Sequence, residues 1–198
     1  MRRIAIDARR PDAAVLLEAA AIIRAGGIVA MPTDTLYGLA ADPFSAAAVE
    51  RLFAAKGRAA ERALPLIAAD MAQIEEQLGP LPLEGRRLAA ACWPGPLTLL
   101  VPRPSTMPDA LTGGLEQVGV RVPAHAVARE LCRAAGRLLT ATSANPSGAP
   151  ASADPDEVAR TMGEGIVLLL DAGPTPGGPP RSGSARPSGS SRSVATCR

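Results

Sequence analysis

The sequence predicts a single α/β domain, on two observations. Short apolar runs bounded by Gly and Pro alternate along the chain with stretches of helical spacing, the pattern of strands and helices layered around one core. The chain has 198 residues, 47% of them apolar, which is enough for one sizeable core. Several connections are short enough for antiparallel pairing, so a mixed sheet flanked by helices is expected. No apolar run approaches the roughly 20 residues of a membrane helix, and Met1-Arg2-Arg3 is followed by no apolar leader. Cys92, Cys132 and Cys197 lie too far apart for a C-x-x-C motif, and their odd number fits a reduced, cytoplasmic setting.

Each element has a local reason. Ile4 to Asp7 is a short strand candidate. Pro11 to Ala25 carries apolar residues at helical spacing and stops at Gly26-Gly27. Ile28 to Met31 reads as a buried strand between Gly and Pro. Ser45 can cap a helix running to about Ala55 and ended by Gly57. Leu64 to Ile67 is a strand, Asp70 to Leu78 a capped helix, and Leu83 to Cys92 a helix broken by Trp93-Pro94-Gly95-Pro96. Leu97 to Val101 and Val118 to Val122 read as strands. Ala124 to Ala135 is a helix closed by Gly136, and Leu138 to Thr142 is one further strand. Asp154-Pro155-Asp156-Glu157 combines a cap, a first-turn Pro and two acids, so a helix should run to about Met162. Ile166 to Leu170 is the last strand. Residues 1–180 are expected to form the domain. Residues 181–198 hold six Ser, four Arg and one branched aliphatic residue, Val194, and should be a disordered tail.

Charge and composition narrow the chemistry. The net charge of +2 conceals a tail of +4 on a body of −2, so any anion site in the body must be local. Aromatic residues are nearly absent, which excludes base stacking as the main mode of nucleic-acid binding. His125 is the sole histidine, so multi-His metal centres are excluded, and its place at a helix start favours a surface or capping role. There is no Walker-type loop, no G-x-G-x-x-G and no close carboxylate pair. Chemistry here would have to rest on positioning and electrostatics.

Four polar segments follow apolar strands or end helices. Pro32 to Gly38 places two hydroxyls, a carboxylate and a phenol just after a strand. Lys56-Gly57-Arg58, with Arg62 close behind, ends a helix. Arg121 ends a strand, and Thr142 to Gly148 leaves another. Taken singly, each has an ordinary reading as turn or helix-end chemistry. Together they hold the sole Lys and the sole Tyr of an Arg-biased chain. Ligands in open α/β sheets sit off strand ends, so their convergence would make a polar, cationic pocket.

At these residues the chain resembles the YrdC-type threonylcarbamoyl-AMP synthases. The matching segments are Pro32-Thr33-Asp34-Thr35-Leu36-Tyr37-Gly38-Leu39, Lys56-Gly57-Arg58, Leu64-Pro65-Leu66, Trp93 to Thr98, Val120-Arg121-Val122-Pro123 and Thr142 to Gly148. They occur in family order over roughly residues 12–180. The resemblance implies a twisted α/β sheet with a concave, cationic face. It also implies synthesis of threonylcarbamoyl-adenylate from L-threonine, bicarbonate or CO2, and ATP, with release of pyrophosphate. That product feeds a downstream threonylcarbamoyl transferase, which modifies tRNA beside the anticodon.

Carried over residue by residue, the resemblance has Thr35, Tyr37, Arg121 and Ser143 holding threonine. Lys56 and Arg58 meet the triphosphate as catalytic cations, with Arg62 assisting and Asn145 contacting the nucleotide. Mg2+ would be bound through the ATP phosphates, with no dedicated protein ligands. After Pro180 the chain leaves the family's pattern, which is expected to mark a C-terminal truncation. Two rival readings follow: a double-stranded RNA or tRNA-binding module with weak RNA affinity, and a family member made catalytically defective by its altered C-terminus.

Overall fold

The computed structural model describes residues 1–57 and 63–177. Its elements are β1 (Arg2–Ala5), α1 (Ala13–Arg24), β2 (Val29–Met31), β3 (Gly38–Ala40), α2 (Ala46–Lys56), β4 (Leu66–Ile67), α3 (Met71–Leu78), α4 (Leu83–Cys92), β5 (Leu99–Pro102), α5 (Asp109–Thr112), β6 (Gln117–Arg121), α6 (Ala126–Ala135), β7 (Leu139–Thr140), β8 (Thr142–Ser143), α7 (Pro155–Met162) and β9 (Leu168–Asp171). The expected tail, 181–198, lies outside the described residues, as do Arg58 and Arg62. Among the described residues, no helix is long and apolar enough to cross a membrane.

The strands form two mixed sheets, ordered β1-β9-β2-β3-β8 and β5-β6-β4-β7. The run expected as one strand over Leu138 to Thr142 is split at Ala141. Its first half pairs with β4 in the second sheet and its second half with β3 in the first. Thr140 makes that crossing hold. Its buried hydroxyl accepts from the Ala41 N–H at 2.9 Å and donates to the Leu39 carbonyl at 3.1 Å. An apolar residue there would leave the Ala41 amide without this acceptor.

Four of the helices, α1, α2, α3 and α7, start where short polar side chains bond free N–H groups. Asp12 accepts from Ala14 and Val15, Ser45 from Ala48, Asp70 from Gln73, and Asp154 from Asp156. Gly57 and Gly136 end α2 and α6 in the left-handed conformation, with φ of 59° and 69°, which an L side chain adopts only under strain. The apolar stripe of α1, Leu16, Ala19, Ala20 and Ile23, packs with β2 and with Val127, Leu131 and Cys132 of α6. A second cluster fills the other side, where α2, α4 and α7 meet the sheets around Leu39, Leu52, Leu66 and Val120.

Candidate active site

The loop after β2 is organised by its own hydroxyls. Thr33 Oγ1 accepts from the Thr35 N–H at 3.2 Å and donates to the Leu36 carbonyl at 2.7 Å. A hydroxyl has one proton, so in the 3.0 Å contact between the two threonine hydroxyls Thr35 must be the donor. The remaining capacity of the Thr35 hydroxyl is therefore as an acceptor.

Asp34, between these threonines, faces Arg121 at the end of β6, with Nη2 and Oδ1 3.4 Å apart. Both side chains are largely buried, with exposures of 8% for Arg121 and 15% for Asp34. Neither Arg121 Nη1 nor Asp34 Oδ1 has a hydrogen-bond partner. Burial pulls the Arg121 pKa below its usual value, opposed by the Asp34 charge, yet a guanidinium stays protonated through such a shift. His125, the residue before α6, gives no side-chain capping bond, so a capping role is excluded. Burial lowers its pKa while Asp34 pulls the other way, and its Nδ1 is buried without a partner. The sequence pattern did not single out Asp34 or His125 as site residues.

Lys56, the last residue of α2, is 3% exposed. Its ammonium donates to the Ser143 carbonyl, to the Asn145 carbonyl at 2.7 Å and to Asn145 Oδ1 at 3.4 Å. In return the Ser147 N–H donates to the Lys56 carbonyl at 2.8 Å. Ser143 Oγ donates to Asn145 Oδ1, and the Asn145 amide donates to the Pro146 and Ala149 carbonyls. One buried cation therefore gathers the loop after β8.

The pieces are contiguous. β8 pairs with β3, setting Ser143 opposite Gly38, and the Ala144 N–H donates to the Tyr37 carbonyl at 2.9 Å. The structure thus brings together Thr35, Arg121, Ser143, Asn145 and Lys56. Tyr37 belongs to the same loop but is placed beneath it. It is fully buried, and its hydroxyl donates to the Gly173 carbonyl at 2.8 Å and accepts from the Ala172 N–H at 3.2 Å. Burial pushes its pKa up to about 12, so the phenol keeps its proton. Its geometry is that of a support. Among the described residues, no group of three or more His, Cys, Asp or Glu could hold a metal ion.

These features define an α/β protein of two mixed sheets with a polar candidate site at their loop ends, containing one buried guanidinium and one buried ammonium. Residues 21–182 match the model of the Sua5_yciO_yrdC family, described as "Telomere recombination", and the chain belongs to that family. It is 45% identical over 152 residues to the threonylcarbamoyl-AMP synthase of Halorhodospira halophila, covering 77% of this chain and 80% of that protein. With the threonylcarbamoyl-AMP synthase of Pyrococcus abyssi it shares 42% identity over 157 residues, covering 79% of this chain and 46% of the other. The crystal structure of P. abyssi Sua5 complexed with L-threonine superposes with a TM-score of 0.88 at 37% identity, over 93% of this chain and 54% of that one. The chain thus spans about half the length of the Pyrococcus relative. E. coli YciO, at 22% identity and a TM-score of 0.84 over 93% of this chain and 91% of that one, shares the fold.

Proposed function

We propose that this chain is a nucleotidyltransferase that makes threonylcarbamoyl-adenylate and pyrophosphate from L-threonine, bicarbonate or CO2, and ATP. Its product would pass to a transferase that modifies tRNA beside the anticodon, which sets the reaction in the cytoplasm. The observation that carries the reading is the Asp34–Arg121 pair beside Thr35. A buried guanidinium with an unpartnered Nη1 needs an acceptor, and the carboxylate oxygen Asp34 Oδ1, held 3.4 Å away without a hydrogen bond, needs a donor. An α-amino acid supplies both groups on one carbon. The binding of L-threonine by the P. abyssi relative supports the same assignment.

In this reading Arg121 pairs with the threonine carboxylate, bidentately where geometry allows. Thr35 Oγ1 accepts a proton from the ligand, and Ser143 borders it. Threonine's neutral amine forms an N–C bond to CO2 and loses a proton to solvent, giving a carbamate anion. A carbamate oxygen then attacks the α-phosphorus of ATP as its bond to the pyrophosphate oxygen breaks. That displacement requires alignment and charge neutralisation rather than a general base. Lys56 and Asn145 lie on the side of the site assigned to the nucleotide, with Arg58 and Arg62 further along the chain. Mg2+ would enter on the phosphates.

The test is pyrophosphate release by the chain and by Lys56→Ala. We expect release only when all three substrates are present, reduced at least about tenfold in the variant, which loses both a cation and a loop clamp. Release without threonine, or none from a folded chain that binds ATP, would refute the proposed activity.

A further inference from the structure

The segment following β9 is tied across the amino-acid loop at several points. Tyr37 bonds it at Ala172 and Gly173, as described above. Beyond that, the Thr175 N–H donates to the Ala153 carbonyl at 2.9 Å. The Thr175 hydroxyl donates to the Thr35 carbonyl at 3.0 Å. The Gly177 N–H reaches the same Thr35 carbonyl at 2.8 Å. Ser152 completes the frame, its carbonyl accepting from the Tyr37 N–H at 3.1 Å. Thr175 is 9% exposed although Pro174 and Pro176 beside it are exposed, so its side chain is turned inward onto the loop.

From this geometry we infer that Thr175 is a positioning residue for the amino-acid site, acting through the Thr35 carbonyl. The Thr35 carbonyl and the amide of Leu36 share one rigid plane. A hydroxyl and an N–H converging on that oxygen fix the plane, and with it the direction in which Thr35 projects its side chain. Thr33 fixes the other end of the same turn through the Thr35 N–H and the Leu36 carbonyl. Thr35 is therefore clamped on both of its peptide groups, one clamp within the loop and one from a segment 140 residues away. The inference rests on the proposed activity, in which Thr35 meets threonine.

Thr175→Val keeps the shape of the side chain and replaces its hydroxyl by a methyl group, which removes the bond to the Thr35 carbonyl. The Gly177 N–H remains on the carbonyl, so the loop is loosened rather than released. Losing one neutral hydrogen bond weakens threonine binding by about fivefold. In steady-state pyrophosphate release we expect the KM for threonine to rise by about that factor. The KM for ATP should stay unchanged, and Thr175→Ser should restore the original value. Calorimetric titration with L-threonine alone gives the same comparison without ATP or turnover. A full-length chain that binds threonine but releases no pyrophosphate would refute the activity and leave the Kd comparison intact. A chain that binds no threonine refutes both. An unchanged threonine Kd in Thr175→Val overturns the inference. So does a fall in melting temperature accompanied by equal losses for threonine and ATP, because that is the signature of general loosening.

Discussion

Arg121→Lys isolates what the guanidinium contributes, because it preserves the charge and removes the fork. The native side chain is 8% exposed and has Asp34 as its ion-pair partner at 3.4 Å, with Nη1 unpartnered. It can therefore direct its free N–H groups at a carboxylate without first breaking a strong internal bond. An ammonium on a shorter reach offers one good contact where the fork offers two. Hydrogen bonds to charged groups contribute about 1.5–3 kcal/mol each, so losing one should raise the KM for threonine by about 10- to 150-fold. The assay is initial-rate pyrophosphate release with threonine varied at saturating ATP and bicarbonate, then with ATP varied at saturating threonine. The KM for ATP should stay within about twofold, because only one substrate is touched. A change of threefold or less for threonine, or an equal rise for both substrates, would refute the assignment of Arg121 to the carboxylate.

Two further expectations concern stability. Burial holds the folded-state pKa of His125 below its ordinary 6.5, so below that pH the unfolded chain takes up a proton that the folded chain resists. Its contribution is level above pH 6.5 and is lost as pH falls towards the folded value. Urea unfolding at about pH 7.5 and about pH 5.5 should show a smaller loss in His125→Gln than in the original chain, and equal losses would contradict this. Thr140→Val should lower the unfolding free energy by about 1–3 kcal/mol for an orphaned buried amide, seen as a lower urea midpoint with no change in slope. A change below about 0.5 kcal/mol would mean that the Ala41 N–H finds another acceptor.

Which features were legible in the sequence follows from the range of the interactions that make them. Asp12, Ser45, Asp70 and Asp154 bond amides two or three residues away, so the helix starts they cap can be read directly. The break at Ala141 leaves no local trace, because Leu138 to Thr142 is one continuous run and the two halves differ only in their distant partners. β3 is three residues long inside a polar motif, and α5 is a single turn, so neither shows a periodicity. For the site, the segments themselves were visible, but the direction in which each side chain is spent was not. The phenol of Tyr37 is committed to a residue 136 positions on, and the ammonium of Lys56 to one 87 positions on.

Lys56 shows why that second kind of information matters for mechanism. A lone Lys in a chain whose other basic side chains are all Arg invites a phosphate-binding reading, and the family resemblance supplies one. The geometry gives a further reason for that residue type. Three oxygens, the Ser143 and Asn145 carbonyls and Asn145 Oδ1, converge on one point at the end of α2. A tetrahedral ammonium can direct separate N–H bonds at three converging acceptors, whereas a planar guanidinium spreads its donors along a fork. The same contacts set Asn145 so that its amide nitrogen holds the Pro146 and Ala149 carbonyls. Lys56 therefore builds the loop after β8, and under the proposed function the same side chain would also bring a cation to the nucleotide. A loss of activity on changing it would measure both together, whereas Arg121 and Thr175, proposed to act on the amino-acid side alone, would give the cleaner test of threonine binding.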